Sequence, residues 1–107
     1  MYEGGLMIGA TGTQVSDYVR GATAGNTDAD WTPYINIVGS EPGTVSDFDA
    51  TSFYNDNNSA APMQLLVRQN SYAWVNAPDN KYIMMQYWIK NTSTNTYSGL
   101  SAGIFAD

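Results

Sequence analysis

Aspartate and asparagine residues concentrate in two polar segments of the chain, and their side-chain oxygens could bind a metal ion. Residues 26–31 contain Asp28 and Asp30, and residues 47–58 contain Asp47, Asp49 and Asp56. Two carboxylates separated by one intervening residue in a loop can point at the same cation. Carboxylate and amide oxygens are ligands that Ca²⁺ binds. These aspartates are therefore candidate ligands of a Ca²⁺ ion, and we expect no other cofactor.

A purely structural role for the same aspartates stays open. Asp and Asn are common in loops because their side chains hydrogen-bond the nearby backbone. An EF-hand is excluded, because the twelfth residue counted from Asn26 is Ile37, where that loop needs a bidentate acid. The sequence alone does not decide between a calcium site and ordinary loop hydrogen bonds.

Aromatic side chains near the end of the chain are the second group that could bind a ligand. Tyr72, Trp74 and Trp88 fall in β-rich segments, where they could form a platform on a sheet face that stacks against sugar rings. Aromatic residues also stabilise sheets by cross-strand packing and by filling the core. Both interpretations remain open from the sequence.

Two residue types that often act in catalysis are missing from the sequence. The chain contains no His and no Cys, which excludes serine and cysteine triads, imidazole metal sites and thiolate zinc sites. The segment 9–13 contains glycines but no following Lys, so it is not a phosphate-binding loop. Two acids could act as a glycosidase pair, but nothing in the sequence brings two of them together. We expect no catalytic residue and no enzymatic activity.

The composition indicates one acidic domain that is not helical. The chain has 107 residues, and only 13% of them are charged, against about 25% in an average soluble protein. A helical bundle would carry more charge on its surface, and an aromatic content of 13% argues against disorder. The net charge of −6 repels phosphate backbones and anionic lipids. We therefore expect neither a nucleic-acid nor a membrane partner.

The clearest strand signals lie between residues 63 and 90. Met63, Leu65 and Val67 alternate with neighbours of the opposite face, and Pro78 marks a turn before a second run at residues 81–90. These two runs predict a long β-hairpin. The second run is apolar on both faces, which predicts a strand in the centre of a sheet that is covered on both sides.

Shorter strands are predicted at residues 6–8, 14–20, 34–38 and 97–105, with loops at residues 21–33 and 39–62. Roughly six to eight short strands without helical periodicity predict an all-β fold, an antiparallel β-sandwich or jelly roll. Residues 97–105 are expected to follow the hairpin as a third consecutive strand. Their outer edge has no Lys, Arg or Pro to protect it, so we expect self-association by edge-strand pairing.

The segment 86–93 (QYWIKNTS), followed by 100–107 (LSAGIFAD), resembles a pattern in large secreted bacterial proteins. These are subtilisin-like serine peptidases and surface proteins of the Bacteroidetes type, which carry a β-rich module downstream of the catalytic part. Residues 2–9 and 15–20 look like the opening of that module. The family pattern continues with Trp and Asp after Asp107, so the resemblance implies a truncated module of a longer exported chain.

Taken together, the residues and the resemblance give one expected function and one alternative. The expected function is that of a non-catalytic, secreted or cell-surface module for protein interaction, adhesion or structural support, with calcium as a stabilising ion. The alternative is a carbohydrate-binding module that uses Tyr72, Trp74 and Trp88 on an aromatic sheet face. The partners expected are a second copy of the chain and a protein or glycan ligand.

Overall fold

The computed structural model of the chain describes residues 4–19 and 29–106. Within those residues the fold is all-β, with seven strands in two antiparallel sheets, as in a β-sandwich, and no α-helix. The predicted all-β, antiparallel class is therefore confirmed. The strands are β1 (Gly4–Thr11), β2 (Gln14–Ser16), β3 (Thr32–Ser40), β4 (Phe48–Asn55), β5 (Leu65–Ala73), β6 (Ile83–Asn91) and β7 (Ser101–Ala106).

The first sheet has three strands in the order β2-β1-β7. Strand β1 is central and antiparallel to both neighbours, with Ile8 opposite Ser16 on one side and Leu6 opposite Ile104 on the other. Leu6 and Ile8 are buried while the residues between and beside them are only partly covered. This alternation is the period of a strand with one core face, and it confirms the strand predicted at residues 6–8.

The second sheet has four strands in the order β3-β4-β5-β6. The predicted hairpin is confirmed, because β5 and β6 are neighbours joined through a short 3₁₀ turn at Asp79–Lys81. Ala50 on β4 and Val67 on β5 are buried, so the core face of this sheet is formed by its two inner strands. Leu65, the first residue of β5, and Met63, two residues before it, are also fully buried.

The prediction that residues 81–90 form a central strand is wrong. Strand β6 lies at an edge of the sheet, and eight of its nine residues are exposed. Tyr87 is half-buried and Trp88 is 41% exposed, so neither side chain lies in the main core. The apolar pattern on both faces of this segment predicts that both faces are covered, but eight residues of β6 are exposed and only Tyr87 is partly buried.

Two other predictions about the elements are corrected. Strand β4 lies inside residues 39–62, which were predicted to be a loop. Residues 101–106 form a strand as expected, but it pairs with β1 in the other sheet and does not continue the hairpin.

Across residues 4–19 and 29–106, no helix has the length and apolarity needed to cross a membrane.

Candidate functional site

The most buried of the candidate metal ligands is Asp56, at the end of β4. Its carboxylate accepts hydrogen bonds from the backbone amides of Met63 and Leu65, each at 2.7 Å, and from the Ser16 hydroxyl at 3.0 Å. Asp56 and Ser16 are fully buried. The two amides flank Gln64, whose φ of 58° is a left-handed conformation unusual for a residue other than glycine. Asp56 therefore fixes the chain at the entry to β5.

Two more candidate aspartates also bind backbone amides. Asp30 is buried, and its carboxylate accepts a hydrogen bond from the Asp17 amide at 3.0 Å. Asp30 and Asp17 line a cleft of about 210 Å³ together with residues of the β1–β2 turn and residues 59–61. The Asp47 carboxylate accepts a hydrogen bond from the Val75 amide at 2.9 Å. In both cases the carboxylate joins two segments that are distant in sequence.

Asp49 closes the turn that leads into β4. One carboxylate oxygen accepts bonds from the amides of Thr44 and Val45, and the other from the amide and hydroxyl of Ser46, over distances of 2.6–2.9 Å. A Cβ atom on Gly43 would overlap the Asp49 carboxylate, so this close approach needs a glycine. The turn is held by four hydrogen bonds to one side chain.

The hydrogen bonds to Asp49 make the stability of the chain depend on pH. The Ser46 hydroxyl, and then the backbone amides, lower the pKa of Asp49 below its ordinary value of 3.8 against an opposing effect of burial. A carboxyl group whose folded pKa is lowered stabilises the fold above its unfolded pKa, and that contribution is lost as the pH falls through the folded value. We expect Asp49→Asn to lower the urea midpoint near neutral pH, and the difference from wild type to vanish below the lowered pKa. A difference that stays constant down to that pH would contradict this origin.

The calcium site stays a prediction. Asp28 lies outside the described residues. The carboxylates of the other four, Asp30, Asp47, Asp49 and Asp56, accept hydrogen bonds from backbone amides. This is the structural role that the sequence left open as the alternative. No group of three or more acidic side chains that could hold a metal ion is present in the described ranges. Melting curves recorded with calcium and with a chelator would test whether the ion binds.

The three candidate aromatic residues lie on one face of the second sheet. Tyr72 lies near the end of β5 and Trp74 is the residue directly after that strand. The Tyr72 hydroxyl donates to Gln86 on β6 at 3.3 Å. Trp88 is two residues beyond Gln86 and therefore points to the same side. Asn70 extends this row, because its amide donates to the Tyr72 hydroxyl at 2.9 Å. We call this surface the β5–β6 outer face, since the buried Val67 points to the opposite side.

Aromatic rings mark both ends of the β5–β6 outer face. At one end Trp74 and Tyr82 form a tilted pair with ring centroids 5.9 Å apart. At the other end the Arg68 guanidinium lies 3.7 Å from the centroid of the Trp88 ring, a cation–π contact. Tyr82 and Trp88 are six residues apart in extended backbone, which separates the two ends by about 20 Å. The face is thus a shallow row of amide groups between two aromatic groups.

Strand β3 forms a third surface, which was not predicted from the sequence as a site. All nine of its residues are exposed, and Tyr34, Ile35, Ile37 and Val38 are 46–71% exposed. The strand carries no charged residue and forms an edge of the second sheet. The signal was present in the sequence as an uncharged β-branched run, but alternation alone does not tell whether such a run is buried.

Comparison with known proteins gives no further assignment. No protein-family model, no curated protein and no solved structure matches the chain.

Proposed function

We propose that the chain is a non-catalytic β-module that acts by protein–protein contact, with strand β3 as its principal contact surface. The observation that carries this proposal is the exposure of four large apolar side chains on both faces of a nine-residue edge strand. Contiguous apolar surface of this kind marks interaction sites, because its exposure to water is unfavourable. An edge strand also offers unpaired backbone N–H and C=O groups to an added strand.

The setting proposed for this module is a secreted or cell-surface protein of bacteria. The support is the resemblance of residues 86–93 and 100–107 to modules of exported bacterial proteins, together with the absence of cysteine and the low pI of about 4.1. A role in protein–protein contact also agrees with the way the buried and loop aspartates are used. Asp30, Asp47, Asp49 and Asp56 hold loops through backbone amides, which is a structural use of a carboxylate.

Photo-cross-linking in cells that produce the protein tests this function without knowledge of the partner. Tyr34, 66% exposed on β3, is replaced by a benzophenone amino acid. The matched control carries the same group at Tyr18, which is 53% exposed and follows β2. We expect a discrete cross-linked species from position 34 and none from position 18.

The mass of the cross-linked species identifies the class of partner. A product of twice the chain mass indicates a second copy, and any other discrete mass indicates a different protein. If position 34 gives no product, or the two positions give the same products, β3 is not a specific contact surface and the proposed function fails.

Carbohydrate binding is the second candidate, and the β5–β6 outer face is the observation that favours it. Tyr72, Trp74 and Trp88 share this face with the amides of Asn70 and Gln86. Ring faces that stack on a sugar and amides that bond its hydroxyls are the two contacts that such a ligand needs. A row of about 20 Å offers room for several sugar rings.

Titration with cellotetraose, xylotetraose and mannotetraose tests this second function. If a sugar binds, we expect Trp88→Ala to weaken binding at least tenfold while the fold is retained, because Trp88 is 41% exposed. Tyr34→Ala removes an exposed aromatic residue from another strand and serves as the control. Absence of saturable binding to all three sugars counts against the β5–β6 outer face as a site for these β-linked glycans.

A further inference from the structure

We infer that the partner of strand β3 is a second copy of the same chain, paired antiparallel to it about a twofold axis at Asn36. This inference rests on the proposed function and specifies its partner. The described residues leave β3 bonded on one side only, to β4. A strand added on the free side would join two four-stranded sheets into one continuous sheet of twice that width, and a twofold pair is the commonest closed symmetry.

The sequence of β3 is self-complementary in this register. When Asn36 lies opposite Asn36 of the second copy, Ile35 lies opposite Ile37 and Tyr34 lies opposite Val38. All four exposed apolar side chains of each strand therefore meet an apolar side chain, and residues directly opposite each other point to the same face. Pairs of β-branched and aromatic residues are the ones that stabilise antiparallel strands.

Neighbouring registers lack this match. A shift that centres the pair on Ile37 places Asn36 opposite Val38 and Ile35 opposite Gly39. A shift that centres it on Ile35 places Tyr34 opposite Asn36. Each shift brings a polar residue or a glycine against an apolar side chain, and only the register about Asn36 pairs all four apolar side chains with one another.

Charge also favours β3 over the other edges. A chain with a net charge of −6 repels its copies, but β3 contains no charged residue. Its Pro33, which has no backbone N–H to donate, lies opposite Gly39 in this register and so falls outside the four apolar pairs. In the register about Asn36, Glu41 extends opposite Trp31, so no two carboxylates face each other. Strand β6 is flanked by Lys81 and contains Lys90, and lysine on an edge opposes pairing. Strand β7, the edge predicted from the sequence to associate, has only six residues.

Two charge variants test both the surface and the register. Ile35→Lys and Ile37→Glu each place one charge at an exposed position, so the fold is retained. Sedimentation equilibrium of the wild type from about 1 to about 200 µM should show a monomer–dimer equilibrium, since one added strand pair buries less surface than a standard interface. We expect each variant alone to dimerise at least tenfold more weakly. An equimolar mixture should recover dimers, because the introduced lysine and glutamate then lie opposite each other.

The control variant is Ile83→Lys, at a 60% exposed position on the opposite edge of the same sheet, which should dimerise as the wild type does. A second measurement avoids charge changes: a benzophenone group at position 34 of the purified chain should cross-link to residue 38 of the second copy. A monomer at all concentrations overturns the inference, as does a dimer insensitive to Ile35→Lys or a mixture that stays monomeric. If the cellular cross-link from position 34 then gives a product of another mass, the proposed function stands without the homodimer.

Discussion

Replacement of Asp56 by alanine should destabilise the chain by about 2–6 kcal/mol. The buried amides of Met63 and Leu65 would lose their acceptor, and each buried group left without a partner costs roughly 1–3 kcal/mol. The Ser16 hydroxyl, also buried, would lose its bond as well. Because small domains are stable by only about 5–15 kcal/mol, urea unfolding should show a much lower midpoint or an unfolded chain.

Asp79→Ala is the control for this effect. The Asp79 carboxylate accepts one bond from the exposed Tyr82 hydroxyl, so its removal should leave the urea midpoint close to that of the wild type. If Asp56→Ala and Asp79→Ala unfold at the same urea concentration, Asp56 does not hold the entry to β5.

Ile8→Ala should have the second large effect, about 2–5 kcal/mol of stability. Ile8 has no exposed surface and lies on the central strand of the first sheet. Truncation of a buried isoleucine loses its transfer free energy and leaves a cavity in the core. The midpoint of thermal unfolding, followed by circular dichroism, should fall by many degrees.

The matched substitution is Ile104→Ala on the neighbouring strand β7. Ile104 is 53% exposed, so its truncation removes little buried surface and should cost less than about 1 kcal/mol. Equal losses from Ile8→Ala and Ile104→Ala would show that the core does not lie on the Leu6 and Ile8 side of β1.

Local patterns revealed the strands better than they revealed the strand neighbours. Leu6 and Ile8 alternate with less buried residues, and Met63, Leu65 and Val67 do the same, so these strands could be predicted from sequence. Strand β4 was missed because its segment begins among Asp, Ser and Gly residues typical of loops, although Phe53 and Tyr54 favour a strand. The partner of β7 could not be predicted, because alternation within one strand carries no information about which strand it pairs with.

The candidate sites were predictable to different degrees. The common face of Tyr72 and Trp74 follows from their spacing of two residues, whereas the contact of Tyr72 with Gln86 depends on the register of the hairpin. The backbone bonds of Asp56 depend on the left-handed Gln64, which no local pattern indicates. For β3 the residues were visible in the sequence, but their exposure depends on the place of the strand at the edge of the sheet.

In the functional state of the protein, we expect another chain to cover β3. Peptide-resolved amide hydrogen exchange measures this directly. It compares the exchange rates of residues 32–40 in the dilute purified chain with those in the protein inside the cells that produce it. We expect fast exchange of the β3 amides that face away from β4 in the dilute chain, and slow exchange in the cellular form, with β6 exchanging at the same rate in both. Equal and fast exchange of β3 in the two forms would contradict the claim.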